Sequence, residues 1–144
     1  MLRRLLALSL CLASLPVLAL DFRSVGAPSA ILYDSPSTHG KPLVVVNRNF
    51  PLELVLSKGH WGRVRDPSGK MYWIELDRLT TAHILLVRKE SDARADASNS
   101  APVIAHVRGG VLLPWQGTLE NGRAAVKLPD GRTAWLGLDA LWGL

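Results

Sequence analysis

Cysteine is almost absent from this sequence. The single one in 144 residues, Cys11, sits inside the apolar amino-terminal run, so the rest of the chain has no thiol. That excludes disulfides, cysteine nucleophiles and cysteine-ligated metals together. Histidine is scarce as well: His39, His60, His83 and His106 are never spaced as a metal-binding pair. No nucleophile elbow flags a catalytic serine. Basic residues do not gather, and charges alternate in sign, as in Arg63-Val64-Arg65-Asp66. A nucleic-acid surface calls for a clustered basic stripe with aromatic support, which is missing here. After the first twenty residues no helical stripe of useful length remains. These absences point to a chain that is not an enzyme, needs no cofactor or metal and binds no nucleic acid.

The first twenty residues read as an export signal. Arg3 and Arg4 form a short basic start, Leu5 through Leu18 is apolar, and Val17-Leu18-Ala19 ends on a small residue. The run is short for a membrane span, so cleavage after Ala19 is expected, giving a periplasmic or secreted chain with no stable span. A lipoprotein signal needs a small residue before the cysteine, and Leu10 stands there instead. The formal charge of +5 includes Arg3 and Arg4, which leaves +3 on the remainder. An exported small protein without disulfides must be held by its core alone.

What is present is a statement made twice. Pro67-Ser68-Gly69-Lys70-Met71-Tyr72-Trp73-Ile74-Glu75-Leu76-Asp77-Arg78-Leu79 returns, without a gap, as Pro129-Asp130-Gly131-Arg132-Thr133-Ala134-Trp135-Leu136-Gly137-Leu138-Asp139-Ala140-Leu141, a spacing of 62 (135 − 73). A fixed-spacing self-match predicts a duplicated unit. Upstream the register becomes 60 (102 − 42), aligning Pro42 with Pro102 and Val44 with Ile104. Two residues inserted near Gln116-Gly117-Thr118-Leu119 would account for the shift. Short apolar runs between Gly and Pro predict strands at Pro42–Val46, Pro51–Leu56, Trp61–Arg65 and Met71–Leu76. In Leu52–Leu56 the alternation is partial, which predicts a strand with one wet face. Asp66–Gly69 and Leu128–Gly131 read as hairpin turns. Asp77–Leu79 and Asp139–Leu141 are expected to form short 3₁₀ turns. His83–Val87 should open the second unit, and the run 88–100, poor in large apolar residues, is expected to be a mobile surface loop. Units of about 60 residues bury only about 60% of their surface and are marginal alone, so the two should pack together, with Trp115 and Trp142 at the contact.

The ordered set Trp61-Gly62-Arg63-Val64, Gly69 and Trp73-Ile74 resembles the bacterial SH3-like domains. Val126, Gly131 and Trp135-Leu136 repeat part of it, and Ala30-Ile31-Leu32-Tyr33-Asp34 is similar to the opening of eukaryotic SH3 domains. The resemblance implies an all-β chain of two tandem SH3-like small β-barrels, residues 20–82 and 83–144, after a signal peptide over residues 1–19. For function it implies binding and no reaction.

Strand parity puts Val64 toward the core and Trp61, three residues earlier, on the opposite face. In SH3 domains the equivalents of Trp61 and Tyr33 line a polyproline groove; alternatively Trp61 packs under the long entry loop as satellite core. The final groove positions hold Glu75 and Arg78 in the first unit and Gly137 and Ala140 in the second. Arg123 replaces Trp61, and Ala93 or Arg94 replaces Tyr33. Polyproline binding is therefore not expected. His60 reads as a turn residue. Tyr33, Trp61, Arg63 and Arg78 form the candidate ligand site, whose aromatic and basic character suits an acidic or glycan-peptide ligand. The expected role is recognition of an envelope protein or peptide, with peptidoglycan peptide or glycan as the alternative ligand. A self-associating structural protein is the other class.

Overall fold

The computed structural model describes residues 19–144, so the expected leader falls almost wholly outside the described residues. The strands come in two runs. The first comprises β1 (Asp21–Val25), β2 (Ser29–Tyr33), β3 (Pro42–Asn47), β4 (Pro51–Lys58), β5 (Trp61–Arg65), β6 (Met71–Glu75) and β7 (Leu79–Thr80). The second comprises β8 (Ile84–Val87), β9 (Ser91–Arg94), β10 (Val103–Val107), β11 (Leu112–Glu120), β12 (Arg123–Lys127), β13 (Thr133–Gly137) and β14 (Leu141–Trp142). The only helical pieces among the described residues are 3₁₀ turns at Leu76–Arg78 and Leu138–Ala140, each one residue earlier than expected.

Each run folds into an antiparallel seven-stranded sheet, and the two orders are equivalent: β3-β2-β6-β5-β4-β1-β7 and β10-β9-β13-β12-β11-β8-β14. Neither sheet closes into a hydrogen-bonded barrel. β3 and β7 stand at the ends of one, β10 and β14 at the ends of the other. Each has its own core. Val25, Leu32, Leu52, Val64 and Ile74 fill the first; Leu85, Val87, Leu113, Val126 and Leu136 fill the second. Alternation explains the membership: in Met71–Glu75 only Tyr72 and Ile74 are buried, so Met71, Trp73 and Glu75 share the outer face.

The expected hairpin turns are in place. Gly69 and Gly131 adopt φ of 87° and 89°, conformations that favour glycine, and each donates its N–H to the carbonyl three residues back at 2.9 Å. Strand β4 departs from the one-wet-face expectation. Pro51, Leu52 and Glu53 are buried and everything from Val55 onward is exposed. Its start lies between β1 and β5, whereas its far end pairs with β5 alone.

Pairing corrects the register inferred between the halves. Leu32 faces Val44, and Ala93 faces Ala105; Leu54 faces Val64, and Trp115 faces Val126. Positions 32, 44 and 54 thus correspond to 93, 105 and 115, a spacing of 61 and not 60. One residue, not two, enters β11 between Trp115 and Leu119, where its pairing with β12 shifts. Part of the expected loop 88–100 is also strand. Ser91–Arg94 forms β9, and Ala93 and Ala97 are buried. Small side chains suffice there because β10 and β13 pair on either side.

The halves meet through aromatic rings. Trp142 stands edge-on to Phe22 of β1 at 5.1 Å between centroids. Trp115 instead meets His83, in the segment joining the sheets, at 4.7 Å. A His83 ring nitrogen is hydrogen-bonded to the Gly143 carbonyl, and the Ser24 hydroxyl, fully buried, donates to the Ala82 carbonyl at 2.9 Å. No helix among the described residues is long and apolar enough to cross a membrane.

Candidate functional site

Strand pairing sets the outer face of the first sheet. Trp61 lies opposite Glu75, Arg63 opposite Trp73, and Tyr33 of β2 opposite Trp73. Val64 and Gly62 point inward, which leaves Trp61 outside, as parity requires. Trp61 is half-buried, and the Tyr33 ring meets it edge to face at 5.5 Å and 85°, a favoured geometry for aromatic pairs. The two expected aromatic residues therefore form one unit.

Beside them runs a cleft of about 590 Å³. Pro36, Ser37 and Thr38 of the β2–β3 loop and Gly59 and His60 of the β4–β5 turn line it, together with Trp61 and Glu75–Arg78. Trp61 is thus a wall of the cleft with the loop opposite it. His60 serves as the expected turn residue, its carbonyl accepting from Leu76 N–H at 2.9 Å. Tyr33 itself lines a smaller depression of about 200 Å³, which shares Glu75 and Arg78 with the cleft.

The two arginines are placed differently. Arg78, at the end of the 3₁₀ turn, donates from Nε to Glu75 at 3.2 Å and lies 3.6 Å from Asp77. Its charge is matched locally, and the cleft holds two carboxylates against one guanidinium. Arg63 lies with its guanidinium 5.9 Å from the Trp73 ring centre, a cation–π contact, and does not line the cleft. Tyr33, Trp61 and Arg78 are brought together, while Arg63 extends the same face away from them.

Glu75 and the loop residues Pro36–Thr38 were not singled out as site residues by sequence. The signal for Glu75 was available: it has the parity of Met71 and Trp73 and precedes Arg78 by three residues. A long loop over Trp61 is the alternative the sequence offers, and which loop residues share the cleft with Trp61 is set by the fold of residues 34–41. Asp34 shapes that loop, its Oδ1 accepting from the Lys41 N–H at 2.8 Å.

The second sheet uses the corresponding positions otherwise. Arg94 faces Trp135 as Tyr33 faces Trp73, so Arg94, not Ala93, stands in the tyrosine's place. Arg123 faces Gly137 as Trp61 faces Glu75. Arg94 donates to the Ala101 carbonyl at 2.7 Å, and Arg123 donates to Ala97 O at 2.9 Å and Asn99 Oδ1 at 3.1 Å. Asn121 adds a bond to the same Ala97 carbonyl at 3.0 Å. The surface that holds an open aromatic cleft in one half is tied to its own loop in the other.

Among known families, residues 26–80 match the one described as bacterial SH3 domain, a stretch that includes Tyr33, Trp61, Arg63 and Arg78. Over that stretch the chain is similar to SH3-like domains. No curated protein matches it by sequence. Among solved structures it is similar to NlpC2 from Trichomonas vaginalis, at 12% identity over 88% of this chain and 49% of that one, with a TM-score of 0.40. NlpC1 from Trichomonas vaginalis is similar at 14% identity, 90% and 48% coverage and a TM-score of 0.40. An NlpC/P60 family protein from Bacillus cereus gives 17% identity, 84% and 55% coverage and 0.39. The chain spans about half the length of these structures.

Proposed function

From an SH3-like domain over residues 26–80, we propose a non-enzymatic binding module of the bacterial cell envelope, exported by its amino-terminal signal, with two SH3-like units in tandem. The first unit is the binding unit and takes a peptide segment of an envelope protein into the cleft beside Trp61. The observation that carries this reading is Trp61, a wall of a cleft of about 590 Å³, with the Tyr33 ring set edge to face against it at 5.5 Å. A rigid aromatic pair supplies contact area at low entropic cost, which suits a binding hot spot.

The charges refine the ligand. An acidic partner suits the candidate arginines taken as free cations, but Arg78 is already held by Glu75 and Asp77. The cleft as it stands favours a neutral or amine-bearing segment over an acidic one. Peptidoglycan is the second reading, since its peptides carry amines and its sugars stack on aromatic rings.

The test is binding by the chain from Leu20 to Leu144, wild type beside Trp61→Ala. A photo-crosslinker at Thr38, on the cleft wall, is used in the periplasm, and purified protein is sedimented with peptidoglycan sacculi. Crosslinking to an envelope protein that disappears in Trp61→Ala supports the first reading. Sedimentation lost in the variant moves the assignment to the wall. Binding that survives Trp61→Ala in both assays overturns the cleft as the site.

A further inference from the structure

The ends of the two sheets differ in how well they are closed to a further strand. β7 and β14 are two residues long and offer little to pair with. β10 carries His106, 2.6 Å from Asp92 of β9 beside it. At the corresponding positions of the first half (92 − 31 = 61 and 106 − 45 = 61) stand Ile31 and Val45, opposite each other on β2 and β3. Val45 is 65% exposed and Ile31 39%, with Leu43 and Val44 exposed beside them. Charge, proline and bulges are what keep an edge from pairing with another chain. The first half has these only at the start of β3, where Lys41, Pro42 and a register shift fall together. From Val44 to Asn47 the edge is apolar and unguarded.

Strand pairing fixes which backbone groups are free there. Arg48 N–H donates to the Pro28 carbonyl at 3.1 Å, and bonded pairs alternate with unbonded ones along an antiparallel ladder. Ala30–Val46 and Leu32–Val44 are therefore the bonded pairs, and Ser29–Asn47 and Ile31–Val45 the unbonded ones. The N–H and C=O of Val45 and the N–H of Asn47 point away from β2. The Asn47 carbonyl is taken by Phe50 N–H at 3.2 Å. Exposed cations flank this stretch, Lys41 before it and Arg48 after it. Between Ser29 and Arg48 the one acid is Asp34, whose Oδ1 accepts from Lys41 N–H at 2.8 Å and the Ser35 hydroxyl at 3.1 Å. The hairpin keeps a positive balance, which bears on what can pair with it. Antiparallel pairing of β3 with a second copy about Val45 sets Arg48 of one chain opposite Pro42 of the other, next to its Lys41. Like charges then meet at both ends of the ladder. A strand with acidic ends meets the same cations with opposite charge.

We propose that β3 accepts an extended segment of another protein, apolar in its middle and acidic at its ends, as an added strand of the first sheet. Main-chain bonds to Val45 and Asn47 hold it, its apolar side chains lie beside Val45 and Ile31, and its acidic ends meet Lys41 and Arg48. The edge is separate from the Trp61 cleft and stands or falls independently of it.

The test is a titration of the chain from Leu20 to Leu144 with the capped peptide Glu-Thr-Val-Thr-Val-Thr-Glu, followed by amide NMR shifts and hydrogen exchange. The Val45 and Asn47 amides are expected to shift and to become protected, because they gain acceptors. A peptide of the same sequence, N-methylated on both Val residues and the Thr between them, keeps the charges and side chains and is expected not to bind. Replacing both Glu residues of the peptide by Lys is expected to weaken binding about tenfold. Ile31→Asp combined with Val45→His copies the pair that the same scaffold carries in the second half, and is expected to abolish the Asn47 protection with the fold intact. The proposal is overturned by unprotected Val45 and Asn47 amides at millimolar peptide, by binding of the N-methylated peptide, or by equal affinity for the Lys form. Wild-type binding by the double variant also overturns it. So does Val45 protection that rises with protein concentration alone, which makes a second copy the occupant.

Discussion

The two halves share a strand order and differ in what they place on its outer face. At three corresponding pairs the first half has Tyr33, Trp61 and Arg78 and the second has Arg94, Arg123 and Ala140. The arginines of the second half reach back to carbonyls of residues 97 and 101 and hold their own loop. The aromatic residues of the first half hold each other and leave a cleft beside them. The edges differ too. Ile31 and Val45 form an exposed apolar pair on β2 and β3, where the second half has the pair Asp92 and His106, 2.6 Å apart. One scaffold is thus used once to present a surface and once to seal it. The buried alternation sets the scaffold, and the outward positions between are free to diverge.

The largest effect expected from breaking this comparison lies in the core. Leu32 is almost fully buried where the second half has Ala93. Leu32→Ala should cost about 3 kcal/mol through lost burial and the cavity left behind, read as a lower urea midpoint. A change below about 1 kcal/mol would mean that the first core collapses around small residues as the second does. Next, Trp61→Ala should weaken ligand binding about thirtyfold, while the unfolding midpoint moves little. Loss of fold together with binding would make Trp61 a structural wall of the loop.

Arg123→Ala sharpens the comparison from the other side. It removes bonds to Ala97 and Asn99 and should speed amide exchange across residues 97–101, at a cost of about 1–2 kcal/mol. Unchanged exchange would leave the loop held by Arg94 and Asn121 alone. The joint between the halves should show a smaller coupling. A double-mutant cycle on Phe22 and Trp142 is expected to give about 1 kcal/mol, the worth of an edge-on aromatic pair. A coupling near zero would mean that this ring pair does not hold the halves together.

The smallest effect is electrostatic. Lys89, hydrogen-bonded at 2.8 Å, holds the Asp139 carboxylate below its ordinary range. A carboxyl with a depressed folded value adds stability above its unfolded value and loses it as pH falls through the folded one. Lys89→Ala should therefore raise the Asp139 midpoint in an NMR titration and make the fold slightly less stable near neutral pH. A midpoint that stays put would show that backbone hydrogen bonds alone depress it.

Much of the framework was legible along the chain. The expected strands at Pro42, Pro51, Trp61 and Met71 begin at those residues, and Gly69 and Gly131 sit in the turns that need them. Strand β1 was not read, because Asp21-Phe22-Arg23-Ser24-Val25 lacks a period-2 pattern. Phe22 faces the other half, and Ser24 is buried by its bond to Ala82. Strand β9 was hidden for a related reason: Ser91–Arg94 carries no large apolar residue, and its place is decided by its neighbours.

By itself the sequence determined which residues alternate inward, where the chain turns and that one pattern occurs twice, because periodicity and turn chemistry are local. It also set Trp61 on the outer face, since Val64 must face inward. Only the tertiary structure decided that Tyr33 meets Trp61 and that Arg123 closes the second half over the same place. Those outcomes bring together residues 28 (61 − 33) and 26 (123 − 97) positions apart, which strand pairing makes neighbours. A charge read along the chain has no partner until the fold supplies one, and whether an arginine faces a ligand or a neighbouring carboxylate is settled at that step.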